Sequence, residues 1–517
     1  MRIRDNQRIS VESTRLELAL MAWRSAIGVD HVDTKEGNLQ IAGTATFALE
    51  RNVSAILHPL NQKEVMACVQ IAGQFGQSIY PVSRGLNWGF GSKVPGRDAG
   101  IILDLSRMNR VLEYNEELAY VRIEPGVTHG MLYDFLQSRQ SELWVAPTGA
   151  GPDTSVIGNA LERGHGVTPY GDNVSQISDL EVVLADGKVI RTGFGMYGNH
   201  RLSPIDRWGV GPSLDGLFSQ SSLGIVTSVT LWLMPKPQAS SMGYLTFSTT
   251  ESFLDAMVKL RPLKLQEAIR GGIVATNDWR MYHSEPSLMG PEYNHPMENC
   301  YQDFMFNKWN IVFGLYGTPM AISETQETIK RQIENSDSLC FFDDAPGENI
   351  TYPNEYCHAM HSIFSGVPGQ CPSRMYFPKG EAPDVGVQPE VDQCGIIWLT
   401  ACSPFLKKDL SIAASIIEET FEGSGFVPDI NIFCKRPRSL HYHIAMFYDR
   451  STGDDDRAMQ CYRKLECRFF EAGYLPHRLG VQYEDVRLKQ LDRVGALISS
   501  LKSTLDPQSV IGSGKYD

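Results

Sequence analysis

Apolar residues recur at helical spacing at Val65, Cys68, Val69, Ala72 and Phe75, which predicts a helix over 62–76 closed by the breakers Gly73 and Gly76. Another helix is predicted over 12–27. The pattern then changes to short β-like runs at 78–83, 101–105, 119–123 and 180–184, each bounded by Gly, Pro or Asp, with a helix at 130–140 between two of them. Asp186-Gly187 lies between EVVLA and KVIRTG and has the composition of a tight hairpin turn, because both residues tolerate positive φ. The first part of the chain therefore reads as an α+β module.

Pro235-Lys236-Pro237 ends an apolar segment, and two prolines stop sheet pairing and stiffen a linker, so a new unit is predicted to start near 240. Strand-like runs at 243–247, 310–316, 395–401 and 439–448 alternate with helical ones at 251–260, 323–335, 407–421 and 456–472, which predicts a second antiparallel sheet faced by helices. Segment 366–394 is dense in Gly and Pro and too long for a passive connection, so a functional or a mobile loop is expected there.

At 517 residues the chain has room for two or three domains, and 42% apolar with 21% charged residues describes a folded enzyme rather than a disordered chain. A net charge of −13 opposes binding to a phosphate backbone, so no nucleic-acid partner is expected. The ten cysteines are scattered without a CxxC pair and read as reduced thiols. The N-terminus lacks a secretory apolar core, GSGKYD is neither an organelle address nor a lipidation box, and no apolar run approaches the roughly 20 residues of a membrane span. A cytoplasmic protein without membrane contact is the expectation.

The most informative stretch is Ser83-Arg84-Gly85-Leu86-Asn87-Trp88-Gly89-Phe90-Gly91-Ser92, directly after the strand-like SIYPV. Its glycines let main-chain N–H groups approach an anion such as a diphosphate, and no acidic residue intervenes. The pattern is neither GxGxxG nor a P-loop, which disfavours a nicotinamide site. By itself a Gly-rich turn is more often only a turn.

Further segments follow in order: Glu124-Pro125-Gly126-Val127, Gly158-Asn159-Ala160-Leu161-Glu162-Arg163-Gly164, Thr168-Pro169-Tyr170-Gly171-Asp172, and Asp215-Gly216-Leu217-Phe218-Ser219-Gln220 with Gly224-Ile225-Val226-Thr227. LDLSRMNRVLEYN, LEVVLADGKVIRTGFG and LWLMPKP stand in register with them, as do SGVP at 365–368, MFYDR at 446–450 and LDPQSVIGSGK at 505–515. In this order, over nearly the whole chain, they resemble the flavoprotein family of vanillyl-alcohol oxidase and p-cresol methylhydroxylase (PCMH). The resemblance implies an α+β fold: a PCMH-type FAD-binding domain at 1–237, a cap domain at 238–472 built on a large antiparallel sheet faced by helices, and a segment 473–517 returning to the FAD domain. It also implies extended FAD with Ser83, Arg84, Gly85, Leu86, Asn87, Trp88, Gly89, Gly91 and Ser92 as the pyrophosphate loop. Gly158, Asn159, Gly164, Gly224 and Val226 would add contacts.

Relatives often attach the flavin covalently. The position of the vanillyl-alcohol oxidase histidine is Ile396 here, which is unreactive, and the corresponding loop of berberine-bridge-type relatives offers Trp88. Counting ten residues from Gly366, as for the p-cresol methylhydroxylase tyrosine, reaches Tyr376, so FAD is either linked through Tyr376 or held non-covalently.

In the family a 4-alkylphenol binds as phenolate to two tyrosines and an arginine and loses hydride to flavin N5. Here Phe90 and His477 stand at the tyrosine positions and Arg478 keeps the arginine, so a substrate without a free phenol is a second reading. The resemblance makes His477 and Arg478 catalytic candidates, adds Asp153 as a substitute for a carboxylate that maps to Ala150, and puts Lys515 near the reduced flavin and His441 and Phe90 at the substrate. The plain alternatives are a core histidine, a turn residue and a solvated tail. His441 and His443 alternate on one predicted strand face, but two ligands are too few for zinc and no metal is expected. The expectation is thus an FAD-dependent oxidoreductase taking hydride from a benzylic or alcohol carbon, with a non-catalytic flavin-binding subunit as the alternative. Its partners would be an aromatic or alcohol substrate, O2 or a cytochrome as electron acceptor, and a second copy in a homodimer.

Overall fold

The computed structural model describes residues 2–98, 100–198, 201–284, 306–344, 350–369, 376, 387–483, 492–512 and 515–516. Helix Gln62–Phe75 shows why its sequence signal is legible. Asn61 caps it by accepting from the Glu64 amide, Glu64 reaches back to the Leu60 amide, and Gly76 ends it in the left-handed conformation at φ 64°. Gly73 stays inside the helix rather than breaking it. With helix Arg2–Ile27 it covers a four-stranded sheet in the order Val32–Asp33, Val53–Leu57, Gly100–Asp104, Ile79–Val82, whose last three strands are parallel. The chain's end returns to this sheet: Ile511 bridges Ile79, whose amide donates to Val510 and whose carbonyl accepts from Gly512.

The N-terminal half also holds a five-stranded antiparallel sheet, Val111–Asn115, Tyr120–Ile123, Ile225–Trp232, Ile177–Val183 and Val189–Arg191, packed on helix His129–Ser138. The last two form the expected hairpin. Only Gly187 uses positive φ, at 78°, donating to the Leu184 carbonyl.

Beyond Pro237 the chain builds the expected second antiparallel sheet, of seven strands. Its spatial order is Ser338–Asp343, Ala239–Phe247, Trp309–Gly317, Ile273–Asn277, Asp429–Cys434, Ser439–Asp449, Cys394–Pro404. Helices Thr250–Leu265, Pro319–Gln332, Lys407–Phe421 and Asp455–Glu471 cover one face. Strand Ser439–Asp449 distributes its side chains by the two-residue period: Leu440, Tyr442, Ile444, Met446 and Tyr448 enter the helix-covered core, which turns His441 and His443 to the other face. That face meets Val167 and Tyr170 of the N-terminal half. Segment 366–394 lies mostly outside the described residues. Among the described residues no helix is long and apolar enough to cross a membrane, and none of the eight described cysteines forms a disulfide with another.

Candidate functional site

A cavity of about 280 Å³ runs between the four-stranded sheet, the five-stranded sheet and the returning C-terminal segment. Ser83, Arg84, Gly85, Leu86, Asn87 and Ser92 line it from the loop after strand Ile79–Val82. Gly158 and Asn159 line it from a short helix, Gly224 and Val226 from the start of strand Ile225–Trp232, and Arg478 and Lys515 close it from later in the chain. The short helix Val156–Leu161 is fixed by Ser155, whose hydroxyl accepts from the Gly158 amide at 2.9 Å and donates to the Pro125 carbonyl at 2.6 Å. Gly158 has no room for a side chain, since a Cβ there would stand 2.3 Å from Ser83 Oγ.

The loop divides its amides between itself and the cavity. Phe90 and Ser92 donate to the Asn87 carbonyl and Gly89 donates to Thr46 Oγ1 at 3.0 Å. The amides from Arg84 to Trp88 take no main-chain partner among the described residues, so they are the ones available to an anion. This corrects the reading of two glycines. Gly89 (φ 73°) and Gly91 (φ 115°) do not line the cavity; a Cβ would meet Trp398 at 2.2 Å and Val481 at 2.2 Å, so they let the loop press on the second sheet and the C-terminal segment. Trp88 also leaves the lining and packs against the cluster around Tyr376. Gly164 sits behind the wall, donating to the Asn159 carbonyl at 2.8 Å, while the Asn159 side chain accepts from Asn173 at 2.7 Å.

Arg478 stands at the end of the cavity. Its Nη2 donates to Asn87 Oδ1 at 2.6 Å, its guanidinium lies 4.1 Å from the centre of the Phe90 ring, and its carbonyl accepts from Thr400 of the second sheet at 3.0 Å. Its Nε is buried without a hydrogen-bond partner among the described residues. Phe90 is thus a platform under Arg478 and is outside the cavity lining. Lys515 is paired with Glu162 at 3.0 Å, and the Tyr516 hydroxyl donates to the same carboxylate at 2.7 Å. Burial alone would raise Glu162, but Lys515 and Arg478 hold its carboxyl below the usual range; burial likewise opposes the Lys515 charge, and Glu162 outweighs it and raises that pKa. Lys515 is therefore a buried clamp on the tail rather than a solvated residue.

His477 belongs to a cluster. His165, His441 and His477 bring one ring nitrogen each to within 4.8 Å of one another, with His165 Nε2 3.0 Å from His441 Nδ1. His443 adds a fourth ring, 5.0 Å from His477 centre to centre. Lys435 Nζ stands 3.4 Å from His165 Nδ1 and is ion-paired with Asp172, which also holds Arg436. Burial keeps these imidazoles uncharged: it lowers His441 to about 4 and His443 to about 3, and it lowers His165 and His477 well below the ordinary value. The resemblance pointed to His441 and His477, and the strand period to His443. Both missed His165, whose partner is 276 residues away and which no local spacing marks.

Two further expected residues lie outside the cavity lining. Asp153 is exposed and away from the cavity lining, so it does not replace the missing carboxylate. Tyr376 is buried outside the lining, its hydroxyl donating to Asp392 at 2.5 Å and accepting from the Gln388 amide at 3.0 Å. Burial and Asp392 raise its pKa and keep the phenol protonated.

These features fit a dinucleotide: open amides beside a cradle that a Cβ would block, apolar walls, and a buried guanidinium with an unused donor. Residues 53–193 match the family described as an FAD binding domain. The chain is 36% identical over 526 residues to 1'-carboxy-chondrochloren decarboxylase of Chondromyces crocatus, covering 97% of each. It is 26% identical over 513 residues to the 4-cresol dehydrogenase (hydroxylating) flavoprotein subunit of Pseudomonas putida, covering 96% of this chain and 94% of that one. The structure of p-cresol methylhydroxylase with substrate bound superposes with a TM-score of 0.86 at 25% identity over 97% of both chains. That of 4-ethylphenol oxidase from Gulosibacter chungangensis gives 0.87 at 24% identity, also over 97% of both, a likeness of fold. The chain belongs to the p-cresol methylhydroxylase family of FAD-dependent oxidoreductases. Its cofactor is FAD.

Proposed function

We propose that this protein oxidises a small aromatic substrate by removing hydride from a carbon next to the ring. One observation carries the reading: the FAD cavity ends at Arg478, on the side where the second sheet presents His441 and His443. FAD, when bound, supplies a two-electron acceptor. The chain's own part is to hold and orient. Arg478 is aimed by Asn87 and backed by Phe90, so its charge stands ready for an oxyanion that develops on the substrate, in a setting where poor hydration strengthens the interaction. With phenylalanine and histidine in place of two phenols, that anion is received by a guanidinium and imidazoles.

A second reading is favoured by the 36% identity, over 97% of both chains, to a decarboxylase. If the carbon beyond the oxidised one bears a carboxylate, hydride departure leaves an electron-poor centre. The electron pair of the C–COO⁻ bond then forms the C=C bond and CO2 leaves. A bound FAD would supply the acceptor for the two electrons and one hydrogen of the hydride, so the step balances.

Domain limits of 1–237, 238–472 and 473–517 are kept as the reading, supported by the start of the second sheet at Ala239 and the return of Ile511 to Ile79. FAD is held without a bond to Tyr376, because that oxygen already serves Asp392 and Gln388. Anaerobic mixing with 4-alkylphenols, with and without a side-chain carboxylate, tests the function. Flavin bleaching by either class supports oxidation next to the ring, and CO2 release from the carboxylated class alone supports the second reading. Failure of every aromatic candidate to bleach the flavin would overturn both.

A further inference from the structure

The histidine cluster has features that anchoring a substrate does not require. His165 comes from the N-terminal half, His441 from strand Ser439–Asp449 and His477 from the segment returning to the FAD module, yet their nitrogens converge within 4.8 Å. His165 Nε2 and His441 Nδ1 are 3.0 Å apart, close to the roughly 3.3 Å between two nitrogens at 2.0–2.1 Å from a tetrahedral metal. His477 Nδ1 is buried and has no hydrogen-bond partner among the described residues. A neutral imidazole carries one ring-nitrogen lone pair, and the His165–His441 contact engages only one of the three. All three residues are partly rather than fully buried.

We propose that His165, His441 and His477 bind one divalent transition-metal ion of the zinc type. An all-imidazole set selects zinc, cobalt, nickel, copper or iron over magnesium and calcium. Three protein ligands leave a coordination position open, as in catalytic rather than structural sites. The open position is assigned to the side of Arg478, which follows His477 in the chain and where the function proposed above, on which this part of the inference rests, puts the substrate's oxyanion. The metal would take the oxygen that two tyrosine hydroxyls take in family members, which gives the Phe90 and His477 replacements a common explanation. Lys435 sets a condition. Coordination through His165 Nε2 leaves the ring proton on Nδ1, facing Lys435 Nζ at 3.4 Å, so the ammonium must turn fully toward its partner Asp172. Replacing Lys435 by methionine should therefore tighten the metal.

The test is equilibrium dialysis of the chelator-treated holoprotein against Zn²⁺, with metal analysis and FAD content measured on the same samples. About one Zn²⁺ per chain is expected. His441→Ala and His477→Gln should weaken it by roughly 100-fold or more, with FAD content unchanged, and Lys435→Met should strengthen it. Absence of stoichiometric Zn²⁺ binding in the wild-type protein, or binding that survives both histidine replacements, overturns the site. If neither variant folds, the wild-type stoichiometry decides alone. Loss of substrate oxidation with Zn²⁺ binding intact would count against the proposed function and leave the metal site standing.

Discussion

Arg478 separates the catalytic reading from a structural one, because its structural interactions are countable. Changing it to alanine removes a charged hydrogen bond to Asn87 and a guanidinium stacked on Phe90. A charged hydrogen bond contributes about 1.5–3 kcal/mol and a desolvated cation–π contact about 2 kcal/mol, so a stability loss of about 3.5–5 kcal/mol is expected even if the residue never touches substrate. Stabilising an oxyanion in the transition state adds a separate effect of about 3 kcal/mol, or roughly a hundredfold in rate. Arg478→Lys keeps the charge and loses the planar fork, and should fall between wild type and Arg478→Ala. The assay is anaerobic stopped-flow reduction expressed per bound flavin, so that incomplete FAD loading or partial unfolding does not enter the rate. A melting temperature lowered in both variants together with a wild-type rate of flavin reduction in Arg478→Ala would refute the catalytic role and leave only the stack.

Gly158→Val should lose most of its FAD while remaining folded, because its Cβ would crowd Ser83 Oγ at 2.3 Å beside the open amides; unchanged flavin absorbance per chain would count against the cradle. Glu162→Gln tests the clamp on the tail. The Glu162 pKa is lowered on folding, so its carboxylate stabilises the fold above its unfolded pKa of about 4.3, and that stabilisation fades as pH falls through the lower folded value. The stability gap between wild type and Glu162→Gln should be full near neutrality and shrink in acid, as denaturant titrations at several pH values would reveal; a gap independent of pH contradicts the assignment. Acid precipitation should give a colourless pellet with FAD in the supernatant, and a yellow peptide containing Tyr376 would disprove non-covalent binding.

The sequence was legible where cause and consequence are close together along the chain. Asn61, Glu64 and Gly76 mark a helix within one stretch, and the two-residue period of 439–449 correctly turned His441 and His443 to one face. Strands Ile273–Asn277 and Asp429–Cys434 escaped notice because they are short and buried on both faces, which removes the alternation that marks a strand. Gly89 and Gly91 were misread for another reason: a glycine that admits a phosphate and one that admits Trp398 or Val481 look identical in sequence. His165 and Glu162 acquire their meaning only from His441 and Lys515, hundreds of residues later.

The most direct measurement is the visible spectrum of the purified protein, recorded before and after anaerobic addition of a carboxylated 4-alkylphenol. The account predicts about one FAD per chain whose absorbance bleaches on addition. Protein that is folded, colourless and unable to take up added FAD would contradict it.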